Sequence, residues 1–393
     1  VLNYDWFQAR APSCTPGARI RLDLGDTMDS LFLSSVIVQN FRAFHHLRVD
    51  RFERVNLVVG KNNVGKSTLL EAIWLYACRG ASNVIWQILD SRDESTPPNG
   101  ANRPNTASDQ EDLEDALTNV KSLFYGRKEI RKKSGILSIG PVNSDDKKLS
   151  VWVEPYVSGQ PRLLFDDASR AEYAFHAAYG REDAEIYPLS RHSARRIEPR
   201  RDMPAHPCAY IPSNGIGVSQ IEKWWDDITL RPSEGDVLLA LKIIAPQVER
   251  LSLVARQSSR TFPIVKIAGM DEPVPLRSLG EGMNRLLGIA MAIANTRDGV
   301  LLIDEIDTGL HYSIQPQVWK LIFETAERLN VQVFATTHSL DCIRAFQQIS
   351  RAHVDKGMLI SLRARKDNPS DIVSVPYDED KLEAATQEQL EVR

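Results

Sequence analysis

The stretch from Val55 to Ala77, VNLVVGKNNVGKSTLLEAIWLYA, constrains this chain more than any other. An apolar run (Val55, Leu57, Val58, Val59) stops at Gly60. G-x-x-x-x-G-K-S follows as Gly60, Lys61, Asn62, Asn63, Val64, Gly65, Lys66 and Ser67. Beyond Thr68, apolar residues recur at Leu69, Leu70, Ile73, Trp74 and Ala77, the spacing of a buried helix face. Strand, glycine-bounded loop and helix, in that order, form the context in which such a loop cradles phosphate. The glycines let the backbone curl around an oxyanion with no side chain in the way. The loop amides then converge, and the helix N-terminus adds partial positive charge. Lys66 is placed to reach the β- and γ-phosphates, and Ser67 to ligate Mg²⁺. The expectation is an α/β P-loop fold that takes ATP and Mg²⁺.

The last third of the chain supplies what hydrolysis requires. Val300-Leu301-Leu302-Ile303 is continuously apolar, as expected of a parallel strand covered on both faces. It ends in Asp304-Glu305. Asp304 suits the Mg²⁺ shell and Glu305 the orientation or deprotonation of an attacking water. Val331 to Ala335 reads as a further strand, ending in Thr336-Thr337-His338-Ser339. His338 there can bond a γ-phosphate and Glu305, although a single histidine is commonly structural. Ser278-Leu279-Gly280-Glu281-Gly282 precedes a buried helix face of Met283, Leu286, Leu287, Ala290, Met291 and Ala294. Such a start binds anions, or simply begins a helix.

The chain has 393 residues, room for one large α/β domain or two ordinary ones. A net charge of −4 argues against a wholesale nucleic-acid coat but leaves room for a local basic groove. Cys14, Cys78, Cys208 and Cys342 form no C-x-x-C pair, which fits buried thiols in a reduced cytoplasm. No apolar run approaches ~18 residues, so no membrane span is expected. No charged-then-apolar leader opens the chain.

Residues 1–27 show no sustained period, and the first methionine is Met28; this stretch is expected to be a poorly ordered extension. Val36, Val38, Phe41, Leu47 and Val49 suggest a hairpin packed beside the phosphate loop. Residues 91–109 read as a loop, and Gln110 to Phe124 as a helix. Short alternating strands are expected from Gly135 to Phe165, a short helix over Ala168 to Tyr179, and a polar stretch from Arg181 to Pro204. A strand at Cys208 to Ile211 comes next. Two helices broken near Pro232 and antiparallel strands over Leu251 to Ile267 complete the middle. Tyr312 to Leu329 reads as an amphipathic helix. The domain reading is 28–393, with 91–205 an inserted lobe, 206–363 the second half of the site and 364–393 a tail.

Together and in order, the phosphate loop, Ser278–Gly282, Val300–Glu305, the run Ile306 to His311 and His338 resemble the ABC-type ATPase superfamily. The fold this implies is an ABC-type ATPase head: a mixed, largely parallel sheet core with an antiparallel β lobe and a helical insertion. The resemblance implies that two copies sandwich ATP. Ser278, Gly280, Glu281 and Gly282 would then act as the signature loop on the partner's nucleotide, with Asp307 as the D-loop aspartate and His338 as the switch histidine. Gly60 and Ser278 stand 218 residues apart, much farther than in transporter ATPase domains. The NFR strand, the GKNNVGKS loop and the DEIDTGLH run are most similar to the SMC/RecF/OLD-like branch, in particular to standalone OLD-like ATPases. Ser213 or Gln220 is the expected Q-loop residue. Asp378-Glu379-Asp380 lacks the strand and glutamate of a TOPRIM nuclease centre and reads as a solvated turn.

The resemblance further implies a homodimer or higher oligomer, with a separately encoded effector such as a TOPRIM-type nuclease, in anti-phage defence. DNA is a candidate partner through Arg127, Lys128, Arg131, Lys132 and Lys133, or through Arg191, Arg195, Arg196, Arg200 and Arg201; solvated loops are the plainer reading of both. Lys61 is a candidate for extra positive charge at the γ-phosphate. The rivals are a RecF-like DNA-repair ATPase and a non-hydrolysing scaffold that holds ATP as glue.

Overall fold

A computed structural model describes residues 31–94, 116–128, 130, 135–156, 172–189, 206–256 and 260–377. The expectations for residues 1–27, for Arg131, Lys132 and Lys133, for the arginines from 191 to 201, and for Asp378-Glu379-Asp380 lie outside the described residues.

In chain order, the hairpin β1 (Val36–Phe41) and β2 (Phe44–Val49) leads to β3 (Val55–Val59), α1 (Lys66–Ala77) and α2 (Ser82–Asp90). The inserted region holds β4 (Leu137–Gly140), β5 (Leu149–Tyr156), β6 (Glu172–Tyr179) and β7 (Glu185–Pro188). Then come β8 (Cys208–Ile211), α3 (Val218–Ile228), α4 (Pro232–Leu241), β9 (Val248–Arg256), β10 (Arg260–Ile267) and β11 (Val274–Pro275). The last third is α5 (Glu281–Asn295), β12 (Val300–Ile303), α6 (Gln315–Arg328), β13 (Gln332–Thr336), α7 (Leu340–Ser350), β14 (Gly357–Ala364) and β15 (Ile372–Tyr377).

The core sheet runs β15-β14-β3-β13-β12-β8. From β14 to β8 every pairing is parallel, and β15 closes one edge antiparallel to β14. Its strands are apolar on both faces because both faces are covered. Leu57, Val59, Leu301 and Ile303 enter one core, with α5 and α6. Val58, Val300 and Leu302 enter the other, with α1 and α2. At about 1.5–3 kcal/mol for each buried aliphatic side chain, this two-sided burial is the main force holding the sheet centre. Parallel neighbours end at the same edge. The register Ile303↔Ala335 and Val58↔Thr336 therefore brings the ends of β12, β13 and β3 together.

The hairpin and the inserted strands form one antiparallel sheet, β2-β1-β4-β5-β6-β7, on the α1 side. A second antiparallel sheet, β11-β10-β9, serves the α5 side. The helix expected over Ala168 to Tyr179 is corrected: Glu172–Tyr179 is a strand paired with β5 over eight residues. Tyr173, Phe175, Ala177 and Tyr179 all face the same core, a period of two rather than 3.6. The helix expected to reach Phe124 is α-helical over 116–120 and tightens into a 3₁₀ turn at Lys121–Leu123. Phe124 leaves it to bridge Phe41 of β1. Among the described residues, α2, β7, β11, β14 and β15 were not foreseen.

Candidate functional site

The phosphate loop is closed by its neighbours. Gly60 sits at φ +147, and a Cβ there would lie 2.4 Å from the Leu362 carbonyl oxygen on β14. Gly65, at φ +93, precedes α1, and its Cβ would meet the Phe44 ring of the hairpin at 2.7 Å. Both positions therefore need glycine, for conformation and for space. Lys66 Nζ donates to the carbonyls of Gly60 at 2.8 Å and Lys61 at 3.0 Å, bracing the loop from within. Burial lowers the Lys66 pKa, while Asp304 and Glu305 pull it back up. No side chain caps α1, so its first amides remain available to an anion.

Across from the loop stand the ends of β12 and β13. Ser67 Oγ donates to Asp304 Oδ1 at 3.0 Å, and Thr336 Oγ1 donates to the same oxygen at 2.6 Å. Glu305 has φ +48, the left-handed region that a non-glycine residue enters at a cost of about 1–2 kcal/mol. Its amide donates to Thr336 Oγ1 at 2.8 Å, and its carbonyl accepts from Arg285 at 2.9 Å. His338 Nε2 lies 3.1 Å from Glu305 Oε1, each side chain about two-fifths exposed (41% and 40%). An ionised carboxylate can only accept, so this contact places the proton on Nε2. Thr337 Oγ1 donates to Asp307 Oδ1 at 2.5 Å.

Arg285 had no expected role. It is buried on α5, and its guanidinium also donates to the carbonyls of Pro212 at 2.8 Å and Asp304 at 2.5 Å. Burial lowers its pKa, and Asp304, Asp307 and Glu305 oppose that. The helix that starts at the signature loop is thereby bonded to the main chain of the two acidic residues. The available signal was a lone arginine between Met283 and Leu286 in an otherwise apolar stripe.

Two adjoining cavities share Asn62, Glu305 and His338. One, about 510 Å³, is also lined by Asn63, Gly65, Lys66, Ser67 and Thr68. Its far wall is Arg42, Ala43, Arg92, Ser122 and Arg127. That wall is an ion-pair net: Arg42 with Glu71 and Glu94 at 3.1 and 2.7 Å, Arg92 with Glu71 at 2.7 Å, Arg127 with Glu94 at 2.6 Å. The second cavity, about 490 Å³, is lined by Gly60, Lys61 and Thr337 among others. The two are large enough together for a nucleoside triphosphate. Ser67 and Asp304 supply two hard oxygens in contact, a donor set that fits Mg²⁺ completed by phosphate and water. Among the described residues, no cluster of three or more histidine, cysteine or acidic side chains offers an all-protein metal cage.

The signature stretch is elsewhere. Ser278, Gly280 and Glu281 are exposed, and nothing from Ser278 to Gly282 lines either cavity. Gly282 packs on Gly309 of the D-loop, where a Cβ would lie 2.7 Å from the Gly309 carbonyl oxygen. Neither Ser213 nor Gln220 lines the two cavities, so the expected Q-loop position finds no support there. No helix among the described residues is long and apolar enough to cross a membrane.

The chain is similar in sequence to known proteins. A family model described as "AAA domain, putative AbiEii toxin, Type IV TA system" matches residues 55–342, from β3 through the start of α7. A protein of Helicobacter pylori named "ATP/GTP phosphatase" is 23% identical over 357 residues, covering 81% of this chain and 88% of that protein. The oligopeptide transport ATP-binding protein OppD of Lactococcus lactis is 33% identical over 90 residues, 22% of this chain and 26% of OppD. Among solved structures, an SmcHead bound to the C-winged helix domain of ScpA aligns at a TM-score of 0.45 and 14% identity, covering 91% of this chain and 100% of that one. With nucleotide-binding loop and acidic strand end brought together and the family model matching most of its length, the chain belongs to this AAA-domain family of P-loop proteins and is an ATPase.

Proposed function

We propose that the protein works as an ATP-driven dimer, an OLD-like ATPase of the cytoplasm that switches a separately encoded effector in anti-phage defence. One observation carries the dimer: the chain builds one half of a hydrolytic site around Lys66 and leaves its signature loop exposed, away from that half. A second copy, facing the first, supplies the missing donors to each nucleotide.

Each residue has a task in this reading. Gly60 to Thr68 wrap the phosphates with main-chain amides, and Lys66 exchanges its loop carbonyls for phosphate oxygens. Lys61, beside the second cavity, adds positive charge there. Ser67 and Asp304 hold Mg²⁺, which when bound neutralises phosphate charge and orients the leaving group. Glu305 Oε1 takes the proton of the attacking water, and His338 Nε2–H holds that carboxylate in position. Ser278, Gly280, Glu281 and Gly282 complete the partner's site, and Asp307, held by Thr337, lies where the two copies meet.

Mixing two dead variants tests the sharing. Lys66→Ala disables a phosphate loop, and Ser278→Arg disables a signature loop. Alone, each should turn over ATP at under about 1% of the wild-type rate. Mixed, they form dimers with one intact site, and activity should return to a sizeable fraction of wild type. No recovery on mixing, with both variants folded, would refute sharing across the dimer.

A further inference from the structure

We propose that Thr336 is a positioning residue of the hydrolytic end, its hydroxyl setting Asp304 and Glu305 together; this rests on the roles proposed above for those two carboxylates. The need for it begins with the backbone. Between β12 and β13 the paired register ends at Ile303↔Ala335. Ile306 rejoins with its amide on the Thr336 carbonyl at 3.0 Å. Glu305 lies between them in the left-handed region, and its amide bonds no main-chain carbonyl of β13. The Thr336 side chain takes that amide instead, at 2.8 Å.

The same oxygen then has one proton to place. Since Glu305 N–H must donate to Oγ1, the hydroxyl proton goes to Asp304 Oδ1 at 2.6 Å, a short charge-assisted bond. Directions along the chain Glu305 N–H, Thr336 O–H, Asp304 carboxylate are thus fixed. A single atom joins the main chain of the base to the side chain that receives Ser67. Thr336 is fully buried, so water cannot substitute freely for either bond. Its branched side chain also limits χ1 on the strand, which holds the hydroxyl in place. Only an atom that both donates and accepts can do this. Valine has the shape without the hydroxyl; serine has the hydroxyl without the methyl.

The test compares Thr336→Val with Thr336→Ser in the full chain, measuring turnover, cooperative unfolding and binding of a fluorescent ATP analogue with and without Mg²⁺. Valine should lower kcat about 10–100-fold, because a small misplacement of reacting groups costs that much. KM should stay within about threefold, since binding through the phosphate loop is untouched. Analogue affinity without Mg²⁺ should be unchanged, while the Mg²⁺ concentration that supports tight binding should rise. Serine should recover kcat to within about threefold of wild type. Should valine prevent folding, Thr336→Cys makes the same comparison with a weak thiol in place of the hydroxyl. A hydroxyl-free variant at the wild-type kcat, or a serine variant as slow as valine, overturns the inference. Glu305→Gln is run alongside. If it keeps wild-type turnover, the reading of the base has failed; if it is dead while Thr336→Val is fully active, only the positioning role has failed.

Discussion

Two glycine-bearing loops at helix N-termini face opposite circumstances in this molecule. The phosphate loop is finished by its own chain: Gly60 is pressed against β14, Gly65 against Phe44, and Lys66 is bonded to loop carbonyls. The signature loop is not. Gly280 has φ +102 with open space where a Cβ would stand, and Ser278 is exposed. Both loops have left-handed glycines, yet only the first has a reason for them inside the chain. The difference separates a cavity-lining loop packed by its own chain from an exposed loop where no neighbour stands within 4 Å of a Cβ at Gly280.

Breaking the first loop should have the largest effect. Lys66→Ala removes a charge-assisted contact to phosphate, worth about 3 kcal/mol, so the ATP Kd should rise on the order of 100-fold. Titration by calorimetry checks this, and unchanged affinity would remove the lysine from the site. A paired substitution sharpens the contrast. Gly60→Ala meets both strain and a main-chain oxygen and should cost about 2–4 kcal/mol of stability. Gly280→Ala meets strain alone and should cost about 1 kcal/mol. Denaturant unfolding of the two proteins reads the gap; equal losses would mean that the loops are alike after all.

The smallest effect concerns the floor beneath the D-loop. Cys342, buried on α7, has its thiol pushed up to about 12 from an ordinary 9.0, by burial first and Asp307 second. At pH 8 the native thiol should resist iodoacetamide that labels the unfolded chain, as mass spectrometry can count. The raised folded pKa also gives the pH sign: this thiol's contribution to stability is whole below about 9 and is lost as pH climbs toward about 12.

What could be read in advance was what is contiguous. A strand, loop and helix in one run of residues disclose the phosphate loop, and VLLIDE discloses the next strand end, because the pattern and the chemistry lie side by side in the chain. Pairings between distant segments were hidden. Nothing in the order of residues ties Arg285 to the carbonyls of Pro212, Asp304 and Glu305, or Thr336 to Asp304. The arginine wall of the larger cavity draws on residues from 42 to 127, joined by the Phe41–Phe124 bridge and by the ion pairs through Glu71 and Glu94. β6 was misread because alanine-rich EYAFHAAY suits either period until its neighbour β5 is known. β15 joins the core from a stretch expected to be tail, where half-buried edge residues leave a weak apolar signal.

The most direct measurement is the mass in solution of Glu305→Gln with ATP and Mg²⁺. A chain of 44.2 kDa that closes on a second copy and cannot reopen should elute at twice that mass, and at 44.2 kDa once Lys66→Ala is added. Nucleotide-loaded Glu305→Gln that remains at 44.2 kDa would contradict the shared site.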